Sequence, residues 1–197
     1  LVAALPAPYA CAGAEAFAAA GVRLLAALGC DTLAFGAETP NAALLMDAAR
    51  LLLSEKINDS LHKNLDAGQT FAAARAAAAE AACPGMGALL REPNNILGVE
   101  YCKAILTQKA AMTPLPLPRL GTGHGGTTGQ HGGVAMASAG YLRTLPVADW
   151  APFVPTSAQT LYLQAEADRL LRSNVKFDAA LLALLRTQTA ADFAGVR

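Results

Sequence analysis

The sequence predicts an α/β chain: a partial parallel-sheet domain followed by a C-terminal helical region. Three observations lead there. Two short apolar segments, residues 1–5 and 32–35, bracket a stretch with helical periodicity, and strand, helix, strand at that spacing is a βαβ unit, hence a parallel sheet. Gly36 follows the second strand at its carboxyl end, where ligands bind in such sheets. Residues 157–172 and 177–187 read as two amphipathic helices, paired as an αα-hairpin.

In chain order, residues 1–5 form a short apolar strand stopped by Pro6 and Pro8. A helix over residues 13–28 buries Phe17, Ala20, Leu24, Leu25 and Leu28, and Gly29 stands where a helix terminates. Residues 32–35 have the composition of a buried strand, ended by Gly36. Residues 40–54 form an apolar helix with Leu44, Leu45, Leu51 and Leu52 inward. A second helical stretch, 58–82, is interrupted near Gly68; Arg75 and Glu80 read as its solvated face, and His62 as exposed. The helical segment 40–82 is thus an insertion, with domain limits at residues 1–146 and 147–197.

Arg91-Glu92-Pro93-Asn94-Asn95-Ile96-Leu97-Gly98-Val99-Glu100-Tyr101 changes character three times. Pro93 disfavours helix at Glu92, and the two amides suit a cap or turn. Ile96, Leu97, Val99, Tyr101 and Ile105 then mark the buried face of a helix ending about Gln108. An amide pair at a helix start, over orphan N–H groups, is either a plain N-cap or a receptor for an anion or a nucleotide base.

Residues 111–133 lack periodicity. Pro114, Pro116 and Pro118 exclude helix and confine any strand to an edge. Gly121-Thr122-Gly123-His124-Gly125-Gly126 matches G-x-G-x-x-G, yet neither a central strand before it nor an apolar helix after it is evident, so a loop is expected, not a dinucleotide site. Ser138 is expected to cap a short helix. With Arg143 nearby, it offers the elements of a phosphate site or a simple capped surface helix. Residues 145–155 form a linker in which Trp150 and Phe153 are available to pack.

Composition sets bounds. The 197 residues are 54% hydrophobic and 15% charged, enough to bury a core, with alanine favouring helix. Formal net charge is zero, so an RNA partner would have to be met by a local patch. Cys11, Cys30, Cys83 and Cys102 have no CxxC spacing, consistent with reduced thiols in a cytoplasmic protein. His124 and His131 have no evident third partner for a metal. No apolar run approaches the ~20 residues of a membrane span, and the start does not read as a signal peptide.

Several blocks occur in the order and rough spacing of one family: Leu5-Pro6; Ala14-Glu15-Ala16-Phe17-Ala18; Cys30-Asp31-Thr32-Leu33-Ala34-Phe35-Gly36-Ala37-Glu38; Pro93-Asn94-Asn95-Ile96-Leu97-Gly98-Val99-Glu100-Tyr101; Arg119-Leu120-Gly121; and Ser138-Ala139-Gly140-Tyr141-Leu142-Arg143. The chain resembles the bacterial tRNA(Met) cytidine acetate ligases of the nucleotidyltransferase-like superfamily, and the resemblance implies a Rossmann-type, parallel-sheet nucleotide-binding domain with helical additions. The resemblance implies activation of acetate with ATP, then transfer of the acetyl group to N4 of the wobble cytidine of elongator tRNA(Met). It implies ATP contacts at Gly36, Asn94, Arg119 and Leu120, a weaker phosphate-side role for Ser138 and Arg143, and Mg2+ admissible beside the ATP. The superfamily's His-x-Gly-His signature is absent: His62, His124 and His131 stand in other contexts, so catalytic residues remain unassigned. Gly140 stands where the family usually has threonine, and Gly125 where an acidic residue is usual.

The chain is therefore expected to be an internal part of such a ligase, with an incomplete sheet and an open edge at residues 1–5, inactive alone. A non-catalytic remnant that binds nucleotide or RNA is the alternative. Two structural expectations follow: residues 1–5 and 32–35 are parallel neighbours, and Gly36, Asn94 and Arg119 line one cleft.

Overall fold

The computed structural model describes residues 2–120 and 127–170; the chain divides into two compact units, Leu1–Leu120 and Gly121–Arg197. In the first, Ala7–Ala10 (α1), Ala14–Ala27 (α2), Thr32–Ala37 (β1), Ala42–Leu52 (α3), Asn58–Asp66 (α4), Phe71–Ala82 (α5), Met86–Leu89 (α6), Pro93–Gln108 (α7) and Thr113–Pro118 (β2) follow in order. The second holds the hairpin Thr128–His131 (β3) and Val134–Ala137 (β4), then Ala139–Leu142 (α8) and Thr156–Ala167 (α9).

The sheet of the first unit is two strands, β1 and β2, parallel, with Leu33 opposite Pro114 and Ala37 opposite Pro118. The prolines fit because of strand parity. The Thr113 N–H donates to the Asp31 carbonyl at 2.7 Å, and the Arg119 N–H to the Ala37 carbonyl at 3.0 Å. Odd-numbered residues of β2 therefore face β1, and Pro114, Pro116 and Pro118 stand on the outer side, where no donor is used. By the same parity, the backbone groups of Thr32, Ala34 and Gly36 face away from β2, and β1 has no second partner among the described residues.

The parallel sheet is as expected, but its members differ. Residues 2–5 form no strand; Val2 is 97% exposed, and β2, not residues 1–5, is the parallel neighbour of β1. The open edge lies along β1. A short apolar run has strand propensity, but propensity yields a strand only where a partner stands beside it. Gly36 does not end β1; the strand runs one residue further, to Ala37.

Helix α7 is the wall on which the unit is built. Val99 and Cys102 join Leu45, Ala48, Ala49, Ile57, Ala76, Ala79 and Met86 in one buried cluster; Ala104 and Ile105 join Ala18, Val22, Leu33 and Met112 in a second. Gly98 is what lets α7 lie against β1: a Cβ there would come within 2.6 Å of the Phe35 ring, whose centroid lies 5.3 Å from that of the tilted Tyr101 ring. The alanine-rich α5 packs for the same steric reason, with Ala74, Ala76, Ala78 and Ala79 buried. Burial lifts the Cys102 thiol to about 11, so it stays protonated and packs as a small apolar side chain.

Of the two charged residues read as a solvated face, Glu80 is exposed as expected, though hydrogen-bonded, whereas Arg75 is largely covered and ion-paired. Arg75 donates to Glu100 at 2.8 Å, and Lys103 bridges Glu100 at 2.8 Å and Glu15 at 3.0 Å, while Glu100 is only 2% exposed. The Glu80 carboxylate accepts from the N–H groups of Gly85 and Gly87 at 3.0 and 2.8 Å, closing the turn into α6. His62 is exposed, as expected.

In the second unit, part of the aperiodic stretch is ordered as a hairpin. Gly132 and Gly133, both at positive φ (56° and 79°), form the two-residue turn between β3 and β4. The expected linker is a 3-10 segment, Val147–Phe153: Trp150 packs edge-on against Tyr162 at 5.1 Å, and Phe153 against Tyr141 at 6.5 Å. The segments at 121–126 and 177–187, with His124, lie outside the described residues.

Gly98→Ala should lower stability by about 1–3 kcal/mol, the cost of overpacking a filled contact. Gly21→Ala, inside α2 with open space around it, should be neutral or stabilising by up to about 1 kcal/mol. Urea unfolding of the two variants checks both; equal destabilisation would show that the α7–β1 contact is not what Gly98 serves.

Candidate functional site

The carboxyl end of β1 meets the amino end of α7, and short-range chemistry explains the junction. Pro93 takes the first helical position, which suits its fixed φ and missing donor, so Glu92 becomes the N-cap residue; it makes no side-chain capping bond. Asn94 and Asn95 therefore lie inside the first turn, and Asn94 is not the N-cap. The cap comes from 56 residues away. The Glu38 carboxylate accepts from the Asn94 side-chain amide at 2.6 Å and its backbone N–H at 3.3 Å on one oxygen, and from the Asn95 backbone N–H at 2.9 Å on the other. The helix start is an anion receptor, as the sequence suggested, and the anion it holds is the chain's own carboxylate.

Asn95 completes the clasp. It is fully buried; its Oδ1 accepts from the Thr39 N–H at 2.9 Å, and its Nδ2 donates to the Thr39 hydroxyl at 3.1 Å. The loop leaving β1 is thus pinned to α7 through two consecutive residue pairs, Glu38–Asn94 and Thr39–Asn95. Burial pushes the Glu38 carboxyl up, but the bonds from the Asn94 side chain, its own backbone and the Asn95 and Asn94 N–H groups together outweigh it and hold it below the usual carboxylate value.

Gly36, Asn94 and Arg119 come together at this end of the unit. Gly36 lies two residues before Glu38; it is exposed, and a Cβ placed on it would meet no atom within 4 Å. Arg119 follows the last residue of β2, its N–H fixed to the Ala37 carbonyl. Both Arg119 and Leu120 are exposed, Leu120 by 45%. Ser138 and Arg143 belong to the second unit. There the Ser138 hydroxyl accepts from the Tyr141 N–H at 3.1 Å as the cap of the one-turn α8, and Arg143 stands at the other end of that turn.

A separate concavity, of about 620 Å³, is lined by Glu15, Asn58, Phe71, Arg75, Glu100 and Lys103, and by none of Gly36, Asn94 or Arg119. It collects the structural ion pairs of the helical layer. Sequence reasoning singled out the Asn94–Asn95 amide pair and the block ending in Glu38, but not that they bind one another, and it missed Thr39; the one available signal was the acidic residue just past a strand end, which needs a donor cluster to hold it.

Comparison with known proteins adds a separate line. The family model described as HIGH Nucleotidyl Transferase matches residues 1–196. A tRNA(Met) cytidine acetate ligase of Syntrophotalea carbinolica is 35% identical over 184 residues, covering 91% of this chain and 44% of the relative. The ligase of Bacillus subtilis is 34% identical over 146 residues, covering 73% and 35%. The chain thus spans less than half the length of these curated relatives. Among solved structures, Thermotoga maritima TmcAL in its apo form superposes with a TM-score of 0.76 at 24% identity, covering 83% of this chain and 41% of that one. The same protein bound with alpha-thio ATP gives 0.71. These likenesses support the fold.

Glu38→Gln should destabilise the protein by about 1–2 kcal/mol at neutral pH, the range of a lost cap or charged hydrogen bond. Because the folded-state pKa is depressed, the carboxylate's contribution is complete above its ordinary value of 4.5 and disappears as pH falls through the lower folded value. The stability gap between wild type and Glu38→Gln, measured by denaturant titration, should therefore close on acidification below pH 4.5. A gap that persists unchanged at low pH would show that Glu38 acts by packing, not by charge.

Proposed function

The chain belongs to the HIGH nucleotidyl transferase family, and from that premise we propose that it is the nucleotide-handling part of a tRNA(Met) cytidine acetate ligase. In the proposed reaction a carboxylate oxygen of acetate attacks the α-phosphorus of ATP, pyrophosphate leaves, and acetyl-adenylate forms. N4 of the wobble cytidine of elongator tRNA(Met) then attacks the acetyl carbonyl, and AMP departs. Such a protein works where tRNA is modified, in the bacterial cytoplasm.

The observation that carries the reading is the meeting of Gly36, Asn94 and Arg119 at the carboxyl ends of β1 and β2, where open α/β sheets bind ligands. The roles divide by chemistry. Gly36 leaves room for the nucleoside to lie close to the strand backbone. Asn94 offers an amide fixed in place at a helix start. Arg119 and Leu120 begin the segment after β2; the guanidinium is suited to phosphate oxygens and Leu120 to an apolar face of the nucleoside. The Ser138–Arg143 turn enters the proposal on the phosphate side only through its likeness to the family's second signature. Mg2+ would come with the triphosphate as its counter-ion; among the described residues no group of three or more His, Cys, Asp or Glu side chains could hold a metal.

Charge developing on the α-phosphate and on pyrophosphate needs preorganised donors, each worth about 10²–10³ in rate. The 197 residues contain no His-x-Gly-His. The chain as it stands should therefore bind ATP but show no acetate-dependent exchange of pyrophosphate into ATP. Adding a segment that carries a His-x-Gly-His motif ahead of it should restore exchange. A silent fusion that still binds ATP would favour the non-catalytic binding module. Gly36→Ala should leave thermal stability unchanged, since the Cβ meets nothing, and weaken ATP binding about tenfold or more, ~1.4 kcal/mol. Unchanged ATP affinity in Gly36→Ala would remove the nucleoside from this strand end.

A further inference from the structure

The two ends of a carboxamide are hard to tell apart by shape, but at Asn94 the partner decides. An ionised carboxylate has no proton to give, so the Asn94 atom 2.6 Å from Glu38 Oε1 must be the NH2 group. The depressed acidity range of Glu38 keeps that carboxylate ionised at neutral pH. Asn94 Oδ1 is thereby turned the other way. It has no partner among the described residues, and it is not among their buried polar atoms lacking one, so on this half-buried residue it keeps some access to solvent. The clasp of Thr39 with Asn95 and the Glu38 bond to the Asn95 N–H prevent the pair from sliding past each other.

We propose that Glu38 is a positioning residue that makes Asn94 a pure acceptor, so that the site selects nucleotides presenting a hydrogen-bond donor at that point. This deepens the nucleotide reading above and rests on it. The donor on an adenine nucleotide is the exocyclic amine or a ribose hydroxyl; both groups are N–H or O–H donors and both suit Oδ1. A ligand presenting an acceptor there would face a carbonyl that cannot rotate away without breaking a bond to a charged group. Replacing Glu38 by glutamine removes this enforcement, because a glutamine can either accept from Asn94 Nδ2 or donate to Asn94 Oδ1.

The test measures binding of ATP, purine riboside triphosphate, 2′-deoxy-ATP and 3′-deoxy-ATP to wild type and Glu38→Gln by titration calorimetry. It also follows the Asn94 side-chain amide protons by NMR against pH. Wild type should lose about five- to tenfold in affinity for one of the three analogues, identifying the donor, as expected for one neutral hydrogen bond. Glu38→Gln should bind ATP more weakly and discriminate less than twofold. In wild type the Asn94 amide protons should move with a titration below pH 4.5, and in Glu38→Gln they should not, a signature that a purely structural role of Glu38 in folding would not produce. Equal affinity of wild type for all four nucleotides overturns the inference while sparing the nucleotide reading. Undiminished discrimination in Glu38→Gln, or an Asn94 amide that ignores the titration, overturns the inference likewise. Failure of wild type to bind any of the four overturns both.

Discussion

The Glu38 carboxylate seated on the first turn of α7 is the interaction on which the first unit depends. A helix start carries unsatisfied N–H groups and the positive end of the helix dipole. Glu92, the residue in the local cap position, makes no side-chain capping bond. Glu38 supplies the missing acceptor from the loop after β1, and in doing so ties the strand end to the helix. Since α7 contributes to both buried clusters, the strand, the cores and the candidate site share one anchor. Gly98, one turn further along, leaves room for the Phe35 ring of β1 against the same helix.

Much of the fold was legible in the sequence because local chemistry determined it. Gly29 and Gly68 take positive φ and end helices where the periodicity stops. The alternate prolines of β2 announce an edge strand, and the parity of the ladder shows why they fit. The rest depended on distant partners. Residues 2–5 have the composition of a strand, but no described segment pairs with them to complete one. Asn94 satisfies every local rule for a cap, yet Pro93 shifts the helix start upstream, and the capping anion lies 56 residues earlier. Arg75 and Glu80 fall at spacings typical of a wet face; only tertiary structure brings Glu100 and the Gly85–Gly87 turn to them.

The candidate site divides along the same line. Motif and residue type single out Gly36, Asn94 and Arg119 as candidates, and the fold brings them to one end of the unit; how they are held was not legible. The residues doing the holding, Glu38, Thr39 and Asn95, use their polar groups on one another, and a mutual arrangement of that kind leaves no periodic trace in a single sequence. Arg119 is placed by its backbone N–H, a contact any residue but proline could make, so its identity is free to serve a ligand.

The two edges of the β1–β2 ribbon are chemically unlike, and this limits how the chain can associate. Proline nitrogens line the outer side of β2 and have no hydrogen to donate to a further strand. The outer side of β1 presents the intact peptide groups of Thr32, Ala34 and Gly36. A ladder that grows by repeated edge-to-edge pairing needs two receptive sides on every member. Among the described residues the ribbon has one such side, along β1, so a strand could be added there but not along the proline-lined rim of β2.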